Sequence, residues 1–265
     1  MEILVIDDGS LNSSASRVAK EFPGVIIHRF HQSRGFCVAA NYGIRAASAP
    51  IVQLLNDDAE VTAGWAAPAL AAFADPHVAA VAPLVLRWSG DVIDSAGDTY
   101  DAGGFAQPRG RGQHESAFQQ PGSVAGASAC GAFYRRDAVL EVGGFPESFG
   151  SHFEDVDLSC RLRRAGYRIE FVPTSRVLHR GSSTYGPPRG RLLERQSCNE
   201  ERLFWRNQSG RPSELLRHGA VVLAKALRRW QEGRLTPWLC GRLRAWAMMP
   251  GDLVRSQAVP GNEDE

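Results

Sequence analysis

The stretch 51–61, IVQLLNDDAEV, decides how this sequence is read. Ile51, Val52, Leu54 and Leu55 are spaced as a short buried strand, and the apolar run stops at Asn56, Asp57 and Asp58. Open α/β sheets place their ligand sites beyond the carboxyl ends of strands. Two adjacent carboxylates there repel each other unless a cation or hydrogen-bond donors offset the charge. A hard divalent ion that holds a diphosphate takes one or two carboxylates plus phosphate oxygens. An exposed turn with a helix N-cap uses the same residue types, so the motif has to be weighed with its surroundings.

On the N-terminal side, Glu2 to Ile6 reads as a strand that ends in the acidic turn Asp7-Asp8-Gly9-Ser10. Helical spacing over Leu11 to Phe22, a strand at Val25 to Arg29 and a helix at Phe36 to Ala47 lead into the central stretch. On the other side, a helix near Trp65 to Phe73 and a strand near Val78 to Leu86 continue the alternation. This rhythm predicts an α/β fold with a mostly parallel sheet and crossover helices.

The pattern weakens from Trp88 to Gly122, which reads as a loop region; Asp94 and Asp98 are expected to be solvated loop charges. Gly126 to Arg135 predicts a packed small-residue strand, and Asp137 to Val142 a short helix. Phe153 to Gly166 is a helix with Glu154, Asp155 and Asp157 at its start and Arg161, Arg163 and Arg164 at its end, as the macrodipole favours. Strands at Ile169 to Val172 and Val177 to His179 follow.

With 43% hydrophobic residues, the 265-residue chain can bury a large core. A net charge of +1 gives no argument for nucleic acid as a partner. The five scattered cysteines include no C-x-x-C pair, which fits a reducing, cytosolic setting better than a disulfide framework. No signal peptide and no run of 18 apolar residues is visible.

Six segments in order resemble the family-2 glycosyltransferases, inverting nucleotide-sugar transferases with the GT-A fold. They are VIDDGS at 5–10, SRGFCVAANYGIRAA at 33–47, LLNDDAEV at 54–61, GASACGAFYRRDAVLEVGGFPESF at 126–149, FEDVDLSCRLRRAGYRI at 153–169 and VLHRGSS at 177–183. The resemblance covers about residues 2–207 and is closest to rhamnosyltransferase-like and galactofuranosyltransferase-like bacterial members. It implies a nucleotide-binding role for Asp7 and Asp8, with Arg34 facing the nucleotide. Asn56, Asp57 and Asp58 stand at the family's D-x-D position. Asp58 is then a direct Mn2+ or Mg2+ ligand, Asp57 an aid to the ribose or to a metal-bound water, and His179 a further metal ligand. Glu154 and Asp155 match the catalytic pair, with Asp155 as base and Glu154 orienting it or the acceptor. Gly126, Ala127, Ser128, Gly131 and Ala132 resemble an acceptor-side floor.

The expected function is transfer of a sugar from a nucleotide-diphosphate donor to a glycan or lipid-linked acceptor in cell-envelope or polysaccharide synthesis. A catalytically inactive binding or scaffold protein of the same fold is the alternative. A nucleotidyltransferase is the weaker third, since no Gly-rich phosphate loop is present. Residues 1–187 read as the catalytic unit, 188–256 as a basic helical tail and 257–265 as a disordered end. Between Arg189 and Arg244 there are 12 Arg and 1 Lys against 5 Glu and no Asp. Basic amphipathic helices with Leu and Trp suit an anionic membrane surface, such as the inner face of the plasma membrane, or packing against the catalytic unit. Family members also open with one more strand and helix than this sequence has. The chain is therefore expected to be a shortened or degenerate copy, poorly soluble or inactive as written, and restored by an extension of roughly 30–45 residues.

Overall fold

A computed structural model describes residues 1–12, 14–181 and 190–257. Ser182 and Ser183 of the last matched segment, and the polar end 258–265, lie outside the described residues. The chain alternates as its sequence predicts. β1 (Leu4–Asp7), α1 (Ser14–Glu21), β2 (Ile26–Arg29), α2 (Phe36–Ala46) and β3 (Ile51–Gln53) come first. β4 (Ala59–Val61), α3 (Ala66–Ala72) and β5 (Val78–Arg87) follow, then the short strands β6 (Ile93–Ser95), β7 (Asp98–Tyr100), β8 (Ala106–Pro108) and β9 (Gly122–Ser123). β10 (Phe133–Arg135), α4 (Arg136–Glu141), α5 (Glu154–Arg164) and β11 (Arg168–His179) complete the α/β part. Three helices close the chain: α6 (Gly190–Asn207), α7 (Pro212–Gln231) and α8 (Leu235–Gln257).

The sheet is mixed. β1 and β2 are parallel and form a two-stranded sheet of their own. The larger sheet runs β3-β10-β5-β11-β4, with β5 and β11 parallel and β10 antiparallel to both neighbours. β5 is its centre. Every residue of β5 except Arg87 is buried, as expected of a strand paired on both edges and covered on both faces. Fully buried Leu84, Leu86, Leu158, Ile169 and Phe171 belong to one core cluster around it. Each contributes on the order of 1.5–3 kcal/mol by leaving water.

Three local expectations change. The strand at the start of the decisive stretch is only three residues long. Leu54 and Asn56 instead donate their N–H groups to Ala132 and Cys130, and Leu55 turns outward. Gly126 to Arg135 is strand only at its end, because the Ser128 carbonyl accepts from both Gly131 and Ala132 and folds residues 128–132 into a turn. The two strands expected at 169–172 and 177–179 are one, β11. Pro173 has no N–H for the ladder, and the register against β5 slips between Val172 and Arg176.

The C-terminal helices are bonded into this body. Asp157, fully buried on α5, meets Arg161 at 2.8 Å and Arg206 of α6 at 2.8 Å. Glu200 and Glu201 on α6 both bond Arg242 of α8, and Glu200 also bonds Lys225 of α7. Buried charges persist only when paired in this way.

Candidate active site

The acidic turn after β1 anchors the next helix. Asp8 accepts from Ser33 Oγ at 2.7 Å, the Arg34 amide at 2.7 Å and the Gly35 amide at 2.9 Å. It thereby fixes the start of α2, where Gly35 has φ +91°, a value that favours glycine. Asp7 is buried and accepts from the Ser10 amide at 2.8 Å. Burial works to raise its pKa, but the Ser10 bonds and the Arg29 guanidinium at 3.2 Å hold it below the ordinary range. The Arg34 guanidinium lies over the Phe30 ring with its side chain in solvent. Asp8, Ser33, Arg34, Gly35, Ser151 and Arg195 are among the residues lining a polar cavity of about 440 Å³. Asn41 on α2 is buried, with Nδ2 bonded to the Phe145 carbonyl at 2.9 Å and Oδ1 to the Phe145 amide at 2.7 Å.

Past β3, the structure separates Asn56, Asp57 and Asp58. Asp57 points to solvent, Asn56 is half-buried, and Asp58 turns inward. Antiparallel pairing of β4 with the end of β11 brings Asp58 to His179. Asp58 Oδ1 lies 3.2 Å from His179 Nε2, and the Asp58 carbonyl accepts from the Arg180 amide at 2.9 Å. The other ring nitrogen, Nδ1, lies 2.8 Å from Asp94 Oδ2. Bonds to Asp94 and then Cys130 raise the imidazole pKa to about 10. Burial would lift the Asp94 pKa, but the bond to His179 and the Arg111 charge outweigh it and keep the carboxyl low. A divalent cation here would have to displace the Nε2 proton, with Asp58, phosphate oxygens and water as its other ligands. Among the described residues, no three His, Cys, Asp or Glu side chains converge on one ion.

The carboxylate pair sits on strained backbone. His152 and Phe153 have φ +72° and +67°, unusual for residues with side chains, and Phe153 caps α5 in the left-handed conformation. Such backbone persists only where the surroundings hold it. Asn199 of α6 does so: its amide donates to the carbonyls of Phe149, Ser151 and His152 at 2.9, 2.9 and 3.1 Å. The turn delivers Glu154 into the interior and leaves Asp155 half-buried. Asp155 accepts from the Ala129 amide at 3.2 Å and from its neighbour Val156 at 2.9 Å.

A third carboxylate joins them. Asp98 on β7 is buried, and its Oδ2 has no hydrogen-bond partner. Burial first, and then the Asp155 charge, push the Asp98 pKa well above the carboxylate range; the same two causes act on Glu154. Burial also raises Asp155, against which its backbone N–H donors act. Three like groups in one site titrate as a unit. The negative charge belongs on Asp155, because it alone of the three accepts from amides on both oxygens, while Glu154 and Asp98 each keep a bare buried oxygen. Gly126 completes this wall: a Cβ there would lie 3.2 Å from Ser159 Oγ and 3.3 Å from the Asp98 Cβ.

Consecutive residues join the two halves of the site. Ala129 holds Asp155 through its amide, and Cys130 accepts the Asn56 amide at 3.1 Å while its thiol meets His179. Asp94 and Asp98 are thus not the solvated loop charges that their surroundings in sequence suggest. β6 pairs with β5, and β7 bridges to Gly126, which carries both carboxylates inward. Asn199 was equally hidden in sequence, since it lies beyond the last matched segment that names a site residue. The one available signal for the aspartates was their density, four between Asp91 and Asp101.

A family model described as Glycosyl transferase family 2 matches residues 1–143. Over 184 residues the chain is 30% identical to a pre-mycofactocin glycosyltransferase of Mycobacterium tuberculosis, covering 68% of this chain and 37% of that protein. It is 28% identical over 216 residues to an N-acetylglucosaminyl-diphospho-decaprenol L-rhamnosyltransferase of the same organism, covering 70% and 68%. The chain thus spans little more than a third of the first of these relatives. Among solved structures, GalNAc-T7 with UDP, GalNAc and Mn2+ superposes with TM-score 0.59 at 20% identity, over 76% of this chain and 41% of that one. The mannosyltransferase PcManGT of Pyrobaculum calidifontis, in complex with GDP-Man and Mn2+, superposes with TM-score 0.52 at 21% identity, over 97% and 64%. At these identities the superpositions speak for the fold alone, the GT-A arrangement of the sheet and its flanking helices.

Proposed function

The chain belongs to glycosyl transferase family 2, and from that membership we propose that it is an inverting, metal-dependent glycosyltransferase. It moves a sugar from a nucleotide-diphosphate donor to a glycan or lipid-linked acceptor in cell-envelope or polysaccharide synthesis. The observation that carries this reading is the junction at residues 129–130. There a carboxylate prepared as a base and a carboxylate–imidazole pair suited to a metal stand one residue apart along the same turn.

In this reading, Asp155 takes the proton of the acceptor hydroxyl as its oxygen bonds to the anomeric carbon and the bond to the diphosphate breaks. A raised pKa makes Asp155 a better proton acceptor than an ordinary carboxylate, while its amide donors keep it ionised. Glu154 and Asp98, holding protons, leave the charge on Asp155. A divalent cation bound at Asp58 and His179 would neutralise the departing diphosphate. Asp7, Asp8, Arg34, Asn56 and Asp57 face the nucleotide side, with Asp8 acting through the 33–35 loop that it anchors. Residues 1–187 then form the catalytic unit and 188–256 the helical tail, with α6 supporting the α5 start from across that boundary. In this reading the protein works in the cytoplasm.

The test is release of nucleoside diphosphate from a panel of nucleotide sugars with and without Mn2+, alongside melting temperature. A donor that raises the melting point only with Mn2+ and yields nucleoside diphosphate is the expected result. Pyrophosphate as product would make the protein a nucleotidyltransferase. Donor binding with no turnover on any acceptor would make it a binding protein of this fold.

A further inference from the structure

α7 carries an apolar face that nothing among the described residues covers. Leu216, Leu223, Leu227 and Trp230 fall at i, i+7, i+11 and i+14, which places them on one stripe of a 3.6-residue helix. They are 78%, 72%, 55% and 67% exposed. Exposed Gly219 and Ala220 fill the stripe between them, so it holds no polar side chain. The opposite face docks the helix on the body. His218 is bonded to the Gly103 carbonyl at 2.8 Å and stacked on Phe204, and Lys225 is bonded to Glu200. α8 repeats the division, with Trp238, Arg242 and Ala245 buried and Leu239 and Leu243 outward, while Trp246 is half exposed with its indole N–H bonded to Glu201.

The charge around this face is one-sided. Residues 208–249 hold eight basic residues against two acidic ones; the whole chain holds 30 against 29, so the remainder has 22 against 27. Lys225 and Arg242 are engaged inside with Glu200 and Glu201. Arg211, Arg217, Arg228, Arg234 and Arg244 are at the surface. Helices with Leu and Trp on one side and Arg beside them bind in the plane of a bilayer carrying anionic lipid.

We propose that the outer face of α7, with that of α8, seats the protein on an anionic membrane surface. Leu216, Leu223, Leu227 and Trp230 enter the headgroup–acyl boundary, and the exposed arginines meet lipid phosphates. No helix among the described residues is long and apolar enough to cross a membrane, so the contact is peripheral. A second copy is the poorer occupant. A two-fold pairing sets a patch against itself and would bring these arginines together. The proposal stands on the helix geometry and does not depend on glycosyl transfer.

The experiment is co-sedimentation of the full chain with phosphatidylglycerol–phosphatidylcholine vesicles and with phosphatidylcholine alone, at low and high salt. Binding to the anionic vesicles, weakened by salt, is expected. L223E/L227E should lower it by roughly tenfold or more, and R217E/R234E should weaken it and flatten its salt dependence. Both pairs are on the surface, so melting temperature should stay at the wild-type value. Failure to bind anionic vesicles at low salt overturns the proposal, as does binding that ignores L223E/L227E. Sedimentation showing a dimer that L223E/L227E dissociates, without vesicle binding, would assign the face to a second copy.

Discussion

Asp94 Oδ2 lies 2.8 Å from His179 Nδ1, across 85 residues of sequence. The bond fixes the ring so that Nε2 points at Asp58. Carboxylates behind a ligating histidine set its tautomer and raise its basicity, and their loss typically costs 10–100-fold in metal affinity. Asp94→Ala should therefore weaken Mn2+ binding by about that factor, with Asp94→Asn milder because its amide oxygen can still accept from Nδ1. Calorimetric titration of Mn2+ in the presence of nucleoside diphosphate reads this directly. Wild-type affinity in Asp94→Ala would leave Asp94 a purely structural partner.

Asp58→Ala and His179→Ala should each reduce metal-dependent donor binding. If they share one ion, the double variant should lose less than the sum of the two single losses. Strict additivity in the same titration would place the two residues in separate roles.

Asp155→Asn removes a base at almost constant volume. Transfer should fall by roughly 10²–10⁴-fold while donor and metal binding stay near normal. A variant with more than half the wild-type rate would put the base elsewhere. Because burial raises the Asp155 pKa, the acidic limb of the rate profile should lie above the ordinary carboxylate range, with activity lost as pH falls through it. Asp98→Asn replaces an acid that already holds its proton, so that limb should stay in place; a limb moved to lower pH would mean that Asp98 shares the charge with Asp155.

Asn199→Ala removes the side-chain donor that three carbonyls of the strained 149–152 turn share. The expected cost is about 1–3 kcal/mol of stability. Turnover should fall more than donor binding, since the turn positions Glu154 and Asp155 rather than the nucleotide. Equal losses in both would argue against that assignment.

Glu201 ties α6 to the last two helices through His218, Arg242 and Trp246. Burial works to raise its pKa, but the His218 bond and the Arg242 charge bring it down to about 2 from an ordinary 4.5. A depressed folded pKa contributes stability that is present above about pH 4.5 and lost as pH falls towards 2. The loss is at most about 3 kcal/mol. Denaturant melts of wild type and Glu201→Gln should differ at pH 7 and converge towards pH 2–3. A difference that does not vary with pH would mean that packing, not charge, accounts for Glu201.

The sequence by itself determined the family, the alternation of strands and helices, and the local motifs. Each of these is written in short-range terms: apolar period along β5 and α5, acids at the start of α5, glycine at 35. Resemblance also singled out Asp58, Glu154, Asp155 and His179, and the structure sets Asp58 against His179. Tertiary structure alone decided the rest. Whether a carboxylate is solvated or buried depends on what pairs with its strand, and β6 and β7 carry Asp94 and Asp98 inward only because β5 and Gly126 are there to receive them. The same holds for Asn199, whose partners lie about 50 residues earlier, and for α7, where period alone could not tell an inward stripe from an outward one. The polar anchors His218 and Lys225 settled that choice, because once their side faces Glu200 and Glu201, the leucines must face away.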